Sequence, residues 1–172
     1  MKCPPLALVL LAVVLIALGE TSGALMSQLR TPVQRYARAR VAANPVAHGL
    51  AGSAEYDSEV TARAVFATEA GLSFFHTHAE GVGLIVLLAA TVTATALPWR
   101  PVRAAIHTLI GLGGLFPLGY LVYAFAVPEW GREVGIELAE RWVLTPLGGL
   151  VIAGLALLTL ALAVRAGREG RR

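Results

Sequence analysis

Four long apolar stretches constrain this chain more than any other feature of its sequence. They contain no Asp, Glu, Lys or Arg and cover Cys3–Gly19, Gly81–Trp99, Ala104–Pro128 and Trp142–Val164. An α-helix needs about 20 apolar residues to cross about 30 Å of hydrocarbon. The pattern predicts an all-α integral membrane protein, a four-helix bundle with spans at about 4–24, 72–98, 102–127 and 142–164.

Composition excludes an ordinary soluble domain. Apolar residues make up 56% of the 172 residues and charged residues only 15%. We expect one membrane domain over 1–172 in contact with the lipid bilayer, with a short helical outer segment at about 25–71. Because the sequence has no basic stripe with interleaved aromatic residues, we expect no nucleic-acid partner.

The first apolar stretch has two interpretations, and the sequence leaves both open. Lys2 followed by Leu6–Leu18 has the charge and the apolar run of a signal peptide, with Ser22-Gly23-Ala24 as a cleavage site. Glu20 follows the run directly, and further apolar residues beyond it could extend the helix. These last two features favour an uncleaved first span.

Basic residues predict the orientation, because positive charge marks the cytoplasmic side of a membrane protein. In a four-span arrangement one side receives Lys2, Arg100, Arg103, Arg165, Arg168, Arg171 and Arg172. The opposite short connection, Glu129–Arg141, holds four Glu and two Arg. We therefore expect a bacterial inner-membrane protein with both termini in the cytoplasm, although the outer segment also carries several arginines.

Helix signals divide the polar regions between the spans. Thr31-Pro32-Val33-Gln34 has the form of a capping box and predicts a helix of about ten residues that stops before Asn44-Pro45. Asp57 or Ser58 is expected to cap a second helix that continues to Pro98. Pro117 predicts a kink in the third span. Glu129–Glu140 is expected to form a short outer helix.

The candidate site is His76-Thr77-His78, followed by Glu80, at the outer edge of the second span. Ionisable side chains at the edge of a hydrocarbon core are costly, which makes them functional candidates. Residues four apart share a helix face, so His76 and Glu80 can converge on one metal site, with Glu69 on the same stripe. His78 faces elsewhere, so a His-x-His pair on one helix serves two sites.

A depth count from the 1.5 Å rise per residue extends this site into a layer. It places Tyr123 level with His76–His78 and Tyr120 level with Glu80. The predicted polar layer is Glu20, Glu69, His76, His78, Glu80, Tyr120, Tyr123 and Thr145. His107 should lie roughly 20 Å from His78 along the membrane normal, so the two cannot ligate one metal.

The segment Phe74–Gly83 resembles the His-x-His helix of small four-span bacterial membrane proteins. More distantly, it is similar to the His-x-His helix of haem–copper oxidases and nitric-oxide reductases. That resemblance implies that His76 or His78 could hold a haem, such as haem b. It spans about ten residues, and the chain lacks the further helices and histidines of those catalytic subunits. Oxidase or reductase activity therefore does not carry over.

Several functions are compatible with these features. The absence of a catalytic triad, phosphate loop or nucleotide motif favours a protein that is not an enzyme. The leading hypothesis is a non-catalytic haem- or metal-binding subunit associated with electron transfer. The alternatives are a cofactor-free accessory or assembly subunit of a membrane complex and a small ion or solute carrier. Other membrane subunits or further copies of the chain are the expected partners.

Overall fold

The computed structural model describes residues 3–170, and its bundle is built on four apolar helical stretches. Each is long and apolar enough to cross a membrane, and they cover Leu6–Ala43, Ala54–Ala96, Arg100–Trp130 and Arg132–Glu169. No strand occurs within residues 3–170. The predicted all-α, four-helix architecture is therefore confirmed.

Helix α1 runs from Leu6 to Ala43 and is kinked at Leu29, where φ is −110° and ψ is 19°. The outer helix predicted to follow Thr31 is present beyond this kink, but it begins directly after Leu29 rather than at Thr31. Pro32 lies in the first turn after this kink, where its missing N–H removes no helical hydrogen bond. The predicted stop before Asn44-Pro45 is confirmed.

Helix α2 runs without interruption from Ala54 to Ala96, as the long second helix was predicted to do. Its predicted start at Asp57 or Ser58 is wrong, since the helix begins after Ser53. The Asp57 carboxylate instead accepts hydrogen bonds from the backbone N–H groups of Ala51 and Gly52, both at 3.0 Å. Asp57 therefore orders the loop that precedes the helix.

The third stretch is broken in two. Helix α3 covers Arg100–Gly113 and helix α4 covers Leu118–Trp130, separated by turns at 114–117 that end at Pro117. The predicted break at Pro117 is confirmed. Helix α5 follows at Arg132–Ala139, as the short outer helix was predicted, and a π-helical turn at Glu140–Leu144 leads into helix α6, Thr145–Glu169.

Outside the apolar part, charged pairs hold the helices together. Arg40 on α1 donates from Nε and Nη2 to the two carboxylate oxygens of Glu129 on α4, and Tyr36 donates to Oε1 at 3.1 Å. The hydrogen bonds from Arg40 hold the pKa of Glu129 below its usual range. The ends of α1 and α4 are thereby joined at the opposite end of the bundle from Arg100.

Candidate functional site

Small residues on α1 allow α2 to approach closely at the candidate site. A Cβ atom at Gly19 would lie 3.0 Å from the carbonyl oxygen of His76 and 3.0 Å from Cγ of Glu80. At Gly23 it would lie 2.7 Å from Cε1 of His76. The two glycines are four residues apart, which is the spacing that brings membrane helices into close contact. Our sequence analysis missed this signal.

The imidazole of His76 lies between two oxygen atoms from different helices. Its Nδ1 is 2.6 Å from Oε1 of Glu80, one turn further along α2, and 2.9 Å from the carbonyl oxygen of Gly19 on α1. The convergence of His76 and Glu80 follows from their spacing of four residues. The contact to Gly19 depends on how α1 and α2 pack.

Only one of these two oxygens is well placed to accept the Nδ1 hydrogen. The direction of the ring favours Gly19, and Oε1 of Glu80 is buried with no hydrogen-bond partner among the described residues. The distance of 2.6 Å nevertheless places that oxygen in direct contact with Nδ1. A buried carboxylate oxygen without a hydrogen-bond donor is costly. One further hydrogen, or one bound cation, would satisfy Oε1 of Glu80.

A cleft opens beside His76 toward the outer part of the bundle. It has a volume of about 420 Å³ and is lined by Glu20, Gly23, Met26, Ser73 and His76, among others. The structure thus places Glu20 in the same cleft as His76, as the predicted polar layer requires. Its exposed side chain faces the opening.

Glu69, also predicted for this layer, lies about two turns before His76 on α2 and is held by other partners. Its Oε1 accepts hydrogen bonds from Nε of Arg30 and from Nε2 of Gln34, both at 2.9 Å. The hydrogen bond from Arg30 lowers the pKa of Glu69 below its usual value. Glu69 therefore belongs to a charged contact between α1 and α2 and is separate from the His76–Glu80 pair.

His78 faces α4 and forms a second, separate polar contact. Its Nδ1 lies 2.8 Å from the carbonyl oxygen of Phe74, which can only accept, so Nδ1 carries the hydrogen. Nε2 then accepts from the hydroxyl of Tyr120 at 3.3 Å. The rings of Tyr120 and Phe116 lie 4.5 Å and 5.9 Å from the imidazole, centroid to centroid.

This environment does not fit axial ligation of a haem by His78. A haem iron would need Nε2, because Nδ1 is bound to the Phe74 carbonyl. The Tyr120 hydroxyl and ring occupy that side of the imidazole. A macrocycle could reach Nε2 only if Tyr120 and Phe116 moved away.

The two residues predicted to bind a metal, His76 and Glu80, are too few to form a tight metal site. Within residues 3–170 no three side chains of His, Cys, Asp or Glu converge closely enough to hold a metal ion together. His76 and Glu80 supply two, whereas a tight site usually takes three or four protein ligands. The carbonyl oxygen of Gly19 also contacts Nδ1 of His76 and could serve as a third metal ligand.

The remaining residues of the predicted layer lie apart from this pair. Tyr123 packs beside Gly71, where an added Cβ would lie 2.9 Å from its Cδ1, rather than level with His76 as the depth count predicts. Tyr120 contacts His78, whereas the depth count placed it level with Glu80. Thr145 is exposed at the start of α6.

His107 lies at the other end of the bundle, in a different cleft from His76. This agrees with the prediction that His107 and His78 cannot share a ligand. Comparison with protein-family models, curated proteins and solved structures gives no match for this chain. Its function must therefore be argued from the contacts described above.

Proposed function

We propose that this protein is an integral protein of a bacterial inner membrane, with both termini in the cytoplasm. Large apolar side chains on the outside of the bundle support the membrane location, since Leu88 is 67% exposed and Ile152 is 70% exposed. Soluble proteins rarely expose large contiguous apolar patches. In lipid such residues need no protein partner.

The charge distribution supports the orientation. The bundle end that carries Arg100 and Arg103 also carries Arg168, whose guanidinium lies 5.4 Å from the Trp99 ring centroid. Arg100 and Arg103 lie at the turn between α2 and α3, where residues 97–103 include no acidic residue. The short connection at the opposite end, Glu129–Arg141, holds four Glu and two Arg. An excess of basic residues in a short connection favours the cytoplasmic side.

Cysteine labelling in intact cells tests this orientation. Cys3 is the only cysteine, and Ser53 lies in the exposed loop between α1 and α2. We expect a membrane-impermeant maleimide to label the Ser53→Cys variant in intact cells, and to label Cys3 of the wild type only after permeabilisation. Labelling of wild-type Cys3 in intact cells would contradict the proposed orientation. Failure to label Cys3 after permeabilisation would mean that the N-terminal residues have been removed, and would contradict it equally.

Within this membrane protein we propose that His76 and Glu80 bind and release one proton, so that the protein acts as a proton relay or proton-coupled carrier. The observation that carries the proposal is the contact of one imidazole nitrogen with two oxygens, Oε1 of Glu80 and the Gly19 carbonyl. One hydrogen on Nδ1 cannot satisfy both. The pair therefore has two arrangements that differ by a proton.

In the first arrangement the Nδ1–H group of His76 donates to the carbonyl oxygen of Gly19, and Glu80 is a deprotonated carboxylate. In the second, one proton has been added to the pair: the ring hydrogen is on Nε2, and Oε1 of Glu80 carries a hydrogen that it donates to Nδ1. At 2.6 Å, Oε1 of Glu80 is within hydrogen-bond distance of Nδ1, so the two atoms can hold this proton between them. We expect the proton to enter through the cleft beside His76.

Infrared difference spectroscopy on the purified protein in nanodiscs tests the proton site. Acidification is expected to produce the C=O band of a protonated carboxylic acid, and the Glu80→Gln variant should lack that band. Glu137 is exposed and paired with Arg141, so Glu137→Gln is the matched control and should retain the band. The proposal fails if no acid-induced band is lost specifically in Glu80→Gln.

A transition-metal site is the second candidate, because Glu20 lines the same cleft as His76. Its carboxylate could complete a set formed by His76, Glu80 and the Gly19 carbonyl once the side chain turned inward. Stoichiometric zinc in dialysed protein, lost in both His76→Ala and Glu80→Gln, would favour this candidate over the proton site. Haem ligation by His78 is not part of either proposal, since Tyr120 covers Nε2 of that histidine.

A further inference from the structure

A second cleft lies at the end of the bundle that carries Arg100. It has a volume of about 360 Å³, and its lining includes Cys3 and Ala94 as well as Arg100, Arg103 and His107. The last three residues all come from α3. Their spacing of three and four residues places them along one face of that helix.

The side chains of this cleft are cationic without a compensating carboxylate. Neither Arg100 nor Arg103 is within ion-pair distance of an acidic group in residues 3–170. Glu169 is the acidic residue nearest to this end in the described sequence, and its carboxylate is bonded to Arg165 at 2.8 Å. The two guanidinium groups therefore keep their donors available for an external anion.

The third polar group of the cleft is His107. Its Nε2 is buried, so a ligand in the cleft does not reach that nitrogen. The half-buried imidazole ring forms part of the cleft wall. The two unpaired guanidinium groups are therefore the groups of the cleft that can bind an anion.

The surroundings of the cleft identify the kind of anion. Trp99, next to Arg100 in sequence, stacks with Arg168, and tryptophan with arginine is typical of the headgroup region of a membrane. The cleft lining includes Pro5, which leads into α1, and on α1 Leu6 is 80% exposed and Leu10 is 60% exposed. An anion held here would therefore lie beside an apolar helix surface that suits an acyl chain.

We propose that this cleft binds the phosphate of an anionic phospholipid, with its acyl chains along the exposed face of α1. Arginine recognises phosphate oxygens through paired N–H donors, and basic pockets between membrane helices suit anionic headgroups. The inference depends on the membrane location but not on the proton site. The two proposals therefore fail independently.

Native mass spectrometry of the full chain tests the lipid site, with phosphatidylglycerol and phosphatidylcholine as probes. We expect phosphatidylglycerol to be retained in preference to phosphatidylcholine, and the Arg103→Gln variant to bind it on the order of tenfold more weakly, since a charge-assisted contact is lost. Arg168→Gln removes the same charge from the same end and is the matched control. Its affinity should change by less than about twofold, the effect of an exposed charge.

Equal retention of the two lipids, or equal loss in Arg103→Gln and Arg168→Gln, would overturn the proposal. The Arg103→Lys variant guards against misfolding, because it keeps the charge and should retain most of the preference. The last test is competition between phosphatidylglycerol and inorganic phosphate. Displacement of phosphatidylglycerol by millimolar phosphate would identify free phosphate as the ligand and would also overturn the lipid assignment.

Discussion

Replacement of Gly113 by valine is expected to separate α3 from α6 and to remove most of the folded protein at temperatures that the wild type survives. A Cβ atom at Gly113 would lie 2.6 Å from the backbone nitrogen of Val151 and 2.9 Å from the carbonyl oxygen of Leu147. Because both neighbours are backbone atoms, no rotamer change relieves the clash. Overpacking of this kind costs about 1–3 kcal/mol or more.

The matched control for this substitution is Gly149→Val on α6, where an added Cβ atom has no neighbour within 4 Å. Both substitutions place a β-branched residue in an apolar helix, so they differ mainly in the clash. The readout is the monodisperse fraction on size exclusion after heating in detergent. Equal loss in the two variants would show that Gly113 is not a contact between α3 and α6.

Replacement of Gly131 by alanine has the second large expected effect, a loss of stability in the outer part of the bundle. Gly131 joins α4 to α5 with φ at 85° and ψ at 164°, a region that is essentially restricted to glycine. An added Cβ atom would also collide with the carbonyl oxygen of Ala47, in the loop between α1 and α2. Strain of this backbone type costs about 1–3 kcal/mol before the collision is counted.

Gly52→Ala separates the two contributions at Gly131. Gly52 also has a positive φ, 80°, but no atom within 4 Å of an added Cβ. We expect Gly131→Ala to lower the melting temperature clearly more than Gly52→Ala, because only Gly131→Ala adds a backbone collision. Similar shifts for the two variants would mean that the Ala47 contact contributes nothing to stability.

Local signals in the sequence predicted most of the helical architecture. Long apolar runs predicted the four helical stretches that are long and apolar enough to cross a membrane, and Asn44-Pro45 predicted the end of α1. The uninterrupted α2 and the break at Pro117 were also predicted correctly. These features depend on backbone chemistry within a few residues, because proline lacks the N–H group that a continuing helix needs and disfavours helical geometry in the residue before it.

The helix starts in the outer segment were predicted less well. The capping-box pattern at Thr31 occurs inside a helix that has already resumed after Leu29, and Asp57 binds the preceding loop instead of starting α2. Thr31 and Asp57 are residues that can cap a helix, but neither is where its helix begins. A helix can extend past a capping residue when its apolar face is already packed against neighbouring helices.

The contacts of the candidate site were also predictable only in part. The spacing of His76 and Glu80 was enough to predict that they meet, because residues four apart on a helix share a face. Their meeting with Gly19, and that of His78 with Tyr120, was not predictable from spacing. These contacts require the rotation and the register of separate helices.

By itself, the sequence determined the helical class, the positions of the apolar stretches and the His76–Glu80 convergence, since all three follow from local geometry. Only the tertiary structure decided what surrounds each histidine. Gly19 and Gly23 bring α1 against His76, while the packing of α4 against α2 brings Tyr120 to His78. Close backbone contact and helix register arise from the whole bundle, so the partners of the two histidines emerge only when the helices pack.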